Sequence, residues 1–247
     1  CYVELSVECL DSDVHSGIGG SIFPNAAWRL VWALNLLKDK DEKIMIPGFY
    51  DNVVEPTELD RNLMAELPDS APDYKERYGV KKFLGGVEGG AELFEQEVFL
   101  PTCTICGLNS GYQGEGSKTV LPSKASAKID FRLVPEQTPE QVLTGLRKLL
   151  DENGFEDVEI TFLGGNPGAK TAPDHPFIQL ILDAGEDVYE LPWTVEPMIG
   201  GSGPNFPFDK YLDQIPIATA GVGTPGGNAH APNENVNLDE YLRGAKH

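Results

Sequence analysis

Residues Tyr2 to Cys9 alternate apolar and polar positions, with Val3, Leu5 and Val7 set against Glu4, Ser6 and Glu8. That period predicts a half-buried strand. A glycine-rich turn, Gly17-Ile-Gly-Gly20, and a capping position at Pro24-Asn25 precede a predicted helix from about Ala26 to Lys38. The helix is apolar nearly all round: Trp28, Leu30, Val31, Trp32, Leu34, Leu36 and Leu37 are interrupted mainly by Arg29 and Asn35. Such a helix needs cover on more than one face, from the core or from a partner subunit. Residues from about 40 to 97 read as a loop-rich insertion, with Gly85-Gly86, Gly89-Gly90 and one short helix near Glu58 to Leu67. Two strands follow, Glu97 to Leu108 and Thr119 to Val134.

Thr138-Pro139-Glu140-Gln141 is a strong helix start, with Thr as N-cap, Pro at the first position and Gln closing a capping box. Val142, Leu143, Leu146, Leu149 and Leu150 form its apolar stripe, and Gly154 stops it. Val158 to Leu163 reads as another strand. The order β-α-(insertion)-β-β-α-β is the split ferredoxin-like arrangement. Gly164-Gly-Asn-Pro-Gly168 marks a boundary, placing residues 1–166 in one domain and 167–247 in another. The second carries a helix from about His175 to Tyr189, capped by Asp174, and a strand at Ile215 to Ala220. At about eighty residues and rich in glycine, it is small to stand alone.

Composition narrows the function classes. Nineteen Lys and Arg against 39 Asp and Glu give a formal charge of −20, which argues against nucleic acid or an anionic membrane as partner. No apolar run approaches the roughly eighteen residues of a membrane span. The chain opens at Cys1, without methionine, directly on a strand pattern, so truncation is expected and the missing signal peptide says little about the parent protein. Four cysteines are few for a disulfide scaffold. Cys103 and Cys106 form a C-x-x-C, but one within a strand pattern and with no second pair, so both are expected to be buried strand cysteines.

Gly221-Val-Gly-Thr-Pro-Gly226 matches G-x-G-x-x-G after a strand pattern, yet Gly227-Asn-Ala-His-Ala-Pro-Asn continues without helical periodicity, which argues against a dinucleotide site. Neither a P-loop nor a G-x-S-x-G elbow occurs. Of four histidines, His247 is terminal and His175 sits at a helix start. His15 lies between a strand end and a glycine turn, in Asp13-Val-His-Ser-Gly17, and His230 lies in a tight polar loop, Asn228-Ala-His-Ala-Pro-Asn-Glu234. On residue chemistry alone, these two are the candidates, and His230 lacks a set of metal-ligand partners upstream.

These segments together resemble a known family. Asp13-Val-His-Ser-Gly17 with Gly19-Gly20 and Pro24-Asn25 is similar to the D-L-H-S-G…G-G…P-N segment of the carnosinase-type dipeptidases, co-catalytic zinc peptidases whose relatives include acetylornithine deacetylase and succinyl-diaminopimelate desuccinylase. Ile46-Pro-Gly-Phe-Tyr-Asp51, Gly79-Val-Lys-Lys-Phe-Leu84, Lys118-Thr-Val-Leu-Pro122, Phe131-Arg-Leu-Val-Pro135, Gly200-Gly-Ser202 and Ala229-His-Ala-Pro-Asn-Glu234 resemble further motifs of that group, in the same order and across essentially the whole chain. The motifs of the insertion favour the dipeptidase branch.

The resemblance implies an α/β protein with an α+β lid: a ferredoxin-like lid and dimerisation domain over residues 1–166, then the C-terminal part of an α/β catalytic domain over 167–247. It implies two divalent metals, zinc with manganese as the alternative, and His230 as a ligand. The H-x-D histidine, the other ligands and the Glu-Glu general base of the family have no counterpart here, so the isolated chain is expected to be inactive and without stoichiometric metal. By the same resemblance, His15 is the lid histidine reaching the peptide carbonyl oxygen across a homodimer, where a donor stabilises an oxyanion. Arg132 matches the arginine gripping the substrate carboxylate. Thr119 and Ser202 match hydroxyl donors to that carboxylate, with Gly200 and Gly201 allowing close backbone approach. The implied parent is a cytoplasmic metallo-dipeptidase acting on dipeptides or short peptides. The alternatives are an N-acyl amino acid deacylase of the same family and a non-catalytic oligomerisation fragment.

Overall fold

A computed structural model describes residues 1–190, 193–213, 215–223, 226–229 and 231–247. In chain order these form β1 (Tyr2–Glu8), β2 (Val14–His15), α1 (Ser16–Gly19), α2 (Ala26–Asn35), α3 (Glu58–Glu66), α4 (Ala71–Tyr78), α5 (Gly90–Phe99), β3 (Thr104–Ser110), β4 (Val120–Leu121), β5 (Lys124–Asp130), α6 (Pro139–Glu152), β6 (Glu159–Gly164), α7 (Pro176–Tyr189), α8 (Asn205–Tyr211) and α9 (Leu238–Gly244). They fall into two compact units, one of Cys1–Glu55 with Ser70–Gly168, the other of Pro56–Asp69 with Ala169–His247.

In the first unit, β3, β5, β1 and β6 lie side by side in that order, every neighbouring pair antiparallel. This is the ferredoxin-like order expected from the element sequence. The alternation of β1 sets the register: Val3 faces Ile129, Leu5 faces Ala127 and Val7 faces Ala125, all of them buried. On the other face Glu4 opposes Lys128, and Glu8 opposes Lys124 in an ion pair of 2.9 Å. Opposite charges directly across an antiparallel pair favour this register over its neighbours. Leu30 and Ala33 of α2, together with Val142, Leu146 and Leu150 of α6, complete the core over the apolar face.

Helix α6 begins as read from sequence, with a capping box between Thr138 and Gln141 and Pro139 in its first turn. Its mid-helix Gly145 lies against the chain at 46–47, where a Cβ would stand 2.5 Å from the Pro47 carbonyl oxygen. Helix α2 buries Ala26, Leu30 and Ala33, while Trp28 and Trp32 stack at 5.9 Å and remain 58% and 54% exposed. Within the chain, then, only one face of this apolar helix is covered. Arg29 chelates Asp157 at 3.0 Å and lies 4.2 Å over the Phe155 ring, tying α2 to the turn before β6.

Several expectations are corrected. The span 40–97 is not loop with one helix: α4 and α5 join α3 there. Helix α4 carries Pro72 near its start and a left-handed Gly79 at its end. Glu97 to Phe99 close α5, so the strand begins only at Thr104. Cys103 is buried, which pushes its thiol up to about 11, but Cys106 is exposed, because β3 lies at the edge of the sheet. Helix α7 is capped by His175, whose Nδ1 accepts from Phe177 N–H, not by Asp174. No strand forms over the described residues 215–220, where the Ile217 amide donates at 2.8 Å to Thr171 Oγ1 in place of a ladder partner.

The second unit holds a buried charge. Asp60 of α3 is 1% exposed and accepts from Lys170 Nζ at 2.8 Å and from the amide and hydroxyl of Thr57 at 2.9 and 2.8 Å. Burial pushes its carboxyl up, but the Lys170 ammonium and the Thr57 donors outweigh burial and hold it below the ordinary 3.8. Elsewhere in this unit Trp193 packs on Gly185 and edge-on to Tyr189 and His247. Because the folded value of Asp60 is depressed, its contribution to stability is complete above that ordinary value and is lost as pH falls through the lower one. Lys170→Met is expected to destabilise the protein by about 3 kcal/mol at neutral pH, since it strands a buried carboxylate. Urea melts at pH 7 and below pH 4 should show the deficit shrinking on acidification.

Candidate functional site

The first unit carries a second, two-stranded sheet. Val14 and His15 of β2 pair antiparallel with Leu121 and Val120 of β4. Ser16 N–H donates to the Thr119 carbonyl at 3.0 Å, extending the pairing by one step. Both strands are too short to be stable alone, and other contacts hold them. Asp13 Oδ1 accepts from the amide and the hydroxyl of Ser123, each at 2.9 Å. These two donors, the amide first, hold the Asp13 carboxyl below the usual carboxylate value. Cys9 N–H donates to the Ser123 carbonyl at 2.8 Å, and Ala26 N–H, opening α2, donates to the Pro122 carbonyl at 3.3 Å. The small sheet is thus fastened to the end of β1, the start of β5 and the start of α2.

This fastening brings two of the expected site residues together. His15 Nε2 lies 3.2 Å from Thr119 Oγ1, although 104 residues separate them in sequence. The other ring nitrogen, Nδ1, accepts from Gly17 N–H at 2.9 Å. The imidazole is exposed, so it is presented outward and not used as core. A paired hydroxyl and imidazole in this position can donate to an oxygen that gains negative charge.

Arg132 lies two residues beyond β5, in the same unit. Its backbone is clamped to Thr102 by two hydrogen bonds, of 3.0 and 3.4 Å. Its Nε donates to Asp130 Oδ2 at 2.7 Å, and half of the side chain is exposed. The strand-face ion pair is therefore real, and it fixes the plane of the guanidinium. In the second unit, Gly200, Gly201 and Ser202 lie in an exposed loop ahead of α8, and a Cβ on Gly201 would meet open space. His230 lies outside the described residues. Among the described residues no group of three or more His, Cys, Asp or Glu side chains could hold a metal ion. A cavity of about 300 Å³ opens between α2 and β3, lined by Leu34, Leu37, Lys38, Cys103, Thr104 and Ile105, and includes none of the candidate residues.

His15, Thr119 and Arg132 are expected from the sequence, whereas Asp13, Gly17 and Ser123 have no task there. Asp13 and Gly17 flank His15 within one short motif, which was the available signal. Nothing local marks Ser123 as the partner of Asp13, 110 residues away.

Residues 2–158 match the family model of the M20 peptidase dimerisation domain, more than half of the 247 residues. The chain belongs to this family. Over its whole length it is 26% identical to the Beta-Ala-His dipeptidase of Rattus norvegicus, covering 50% of that protein. It is 25% identical to the Cys-Gly metallodipeptidase dug1 of Schizosaccharomyces pombe, again over its whole length and 52% of the relative. The chain therefore spans about half the length of these curated relatives. Among solved structures, an M20 family metallo-carboxypeptidase from Sulfolobus solfataricus superposes with a TM-score of 0.92 at 33% identity, over 100% of this chain and 56% of that one. The resemblance to carnosinase-type dipeptidases and the mixed helix-and-sheet class, both read from sequence, are borne out.

Proposed function

We propose that this chain is the dimerisation and substrate-holding portion of a metal-dependent peptidase that cleaves dipeptides or short peptides. The observation that supports this most is the His15–Thr119 pair at 3.2 Å, in a chain that aligns over its whole length with dipeptidases. In this reading His15 donates to the scissile carbonyl oxygen as it gains charge. Arg132, its plane set by Asp130, grips the free carboxylate of the substrate, and Thr119 adds a hydroxyl donor. For Ser202, Gly200 and Gly201 a matching carboxylate role rests on their motif alone.

The metal chemistry belongs to the whole enzyme. The described residues do not assemble a metal centre by themselves. Two divalent ions, zinc in preference to manganese, are proposed for the complete protein, with His230 as the one ligand from this chain. Expressed by itself, the 247-residue chain is expected to retain less than stoichiometric zinc and to show no dipeptidase activity, as measured by elemental analysis and a ninhydrin assay.

Both a dipeptidase and a carboxypeptidase must recognise a free C-terminal carboxylate. The 33% identity to the Sulfolobus metallo-carboxypeptidase favours the carboxypeptidase as the second reading. Substrate length decides between them: turnover confined to dipeptides supports the first, while equal turnover of longer peptides supports the second. Cleavage of N-acyl amino acids without cleavage of dipeptides would replace both with a deacylase. In the complete protein Arg132→Met is expected to raise KM for dipeptides about 10- to 100-fold, the worth of a charge-assisted contact. It should also abolish discrimination against C-terminally amidated analogues.

We also propose a homodimer through the first unit, acting in the cytoplasm; no described helix is long and apolar enough to cross a membrane. The uncovered face of α2, with Trp28 and Trp32, and the open edge at β3, with exposed Ile105 and Leu108, supply the contact surface. Trp32→Glu is expected to weaken association by at least about 2 kcal/mol, as for a central aromatic anchor. Sedimentation velocity should then show monomer at concentrations where the parent is dimeric.

A further inference from the structure

A backbone amide offers a hydrogen and no lone pair, so its contact with a ring nitrogen fixes that nitrogen as an acceptor. Gly17 N–H meets His15 Nδ1 at 2.9 Å. In the neutral imidazole the proton therefore sits on Nε2. Nε2 in turn stands 3.2 Å from Thr119 Oγ1, and an N–H there can only donate. The Thr119 hydroxyl must accept, which leaves its own proton to turn toward a third group. The order of donors is fixed from one end: Gly17 amide to ring, ring to hydroxyl, hydroxyl outward.

Two further features maintain this order. His15 and Thr119 are carried on facing arms of one small sheet, through the Ser16-to-Thr119 backbone hydrogen bond of 3.0 Å and the Val14–Leu121 pairing. Asp13 closes those arms by taking both Ser123 donors at 2.9 Å. Gly17 is itself fitted to the ring. A Cβ at that position would lie 3.0 Å from His15 Cε1 and 3.1 Å from Nδ1, closer than ordinary contact. A side chain at 17 would push the imidazole off the amide. The backbone of Gly17 is not in the left-handed region, so the demand for glycine there comes from the ring and not from the turn.

We propose that Gly17 is a positioning residue that locks His15 as an Nε2–H donor, its proton held on Thr119 until the substrate oxygen takes it. A carbonyl oxygen gaining negative charge is stabilised by a proton already on the nitrogen that faces it. A ring protonated on Nδ1 would turn a lone pair toward that oxygen and repel it. In the resting protein Thr119 Oγ1 occupies the Nε2 proton, and the substrate oxygen competes for it on binding. The substrate's identity rests on the peptidase reading above; the tautomer lock does not.

The test is a long-range proton–nitrogen correlation spectrum of the whole protein, labelled only at histidine nitrogens, at a pH where His15 is neutral, with His15→Gln assigning the resonance. The expected result is a single tautomer, Nδ1 unprotonated and Nε2 protonated, set against the mixture of an unrestrained histidine dipeptide analogue. Gly17→Ala is expected to return His15 to that mixture and to lower kcat about 10- to 100-fold, the range for loss of a group that orients a working ligand. Thr119→Val should leave the tautomer unchanged, because the lock lies at Gly17. A tautomer mixture in the parent protein, or a single tautomer that persists in Gly17→Ala, would overturn the proposal. Should Gly17→Ala fail to fold, the parent spectrum decides alone. A locked tautomer in a protein without peptidase activity would sink the functional reading and leave the lock standing. A mixture in an active dipeptidase would sink the lock alone.

Discussion

The register between β1 and β5 is the constraint from which most of the first unit follows. With a side-chain period of two, the pairing that buries Val3, Leu5 and Val7 against Ile129, Ala127 and Ala125 also sends Glu4 and Glu8 to the opposite face, each across from a lysine. A slip of one residue would reverse both faces at once. The same register decides where Cys9 and Ser123 meet at the end of the ladder, and there the small β2–β4 sheet is attached. The 3.2 Å approach of His15 to Thr119 is thus an extension of core packing. The site needs no separate folding element because the hydrophobic sheet already aims it.

Much of this was legible in the sequence, and the failures have identifiable causes. The period-two run in β1 and the capping box of α6 each agree at two levels, local propensity and burial, so they were read correctly. The sheet order followed from element order alone. The helices of the insertion are masked in the sequence for a different reason. Ser70, Pro72, Asp73, Arg77 and Gly79 do supply start and stop signals for α4, but the glycine pairs at 85–86 and 89–90 outweighed them. The run Ile215 to Ala220 has strand composition, yet a strand also needs a neighbour, and here a threonine hydroxyl takes its amide.

The site divides in the same way. His15 stands out by residue type and local context, whereas Thr119 and Arg132 stand out only through the motifs that resemble the family's. The residues that orient them are ordinary by type: an aspartate, a serine and a glycine. Their importance lies in contacts between positions far apart in the chain, such as Asp13 with Ser123, and sequence pattern does not encode such distances. The same holds for Asp130, whose pairing with Arg132 unites the structural and the recognition readings of that arginine, because one carboxylate sets the plane of the guanidinium.

The pairing of Asp60 with Lys170 has a consequence for synthesis on the ribosome. The second unit takes in the segment Pro56–Asp69 from inside the first, so its sequence is discontinuous. Asp60 is translated 110 residues ahead of the ammonium that neutralises it, an interval of roughly 5 to 20 seconds at ordinary elongation rates. Within that interval β3 and β5 of the first unit are made, but its last strand, β6, is finished only at Gly164, just ahead of Lys170, while Asp60 on α3 stays without its partner. Vectorial synthesis therefore brings the last strand of the first unit and the ammonium that anchors the second off the ribosome almost together, so that the two units are completed by one short stretch of chain.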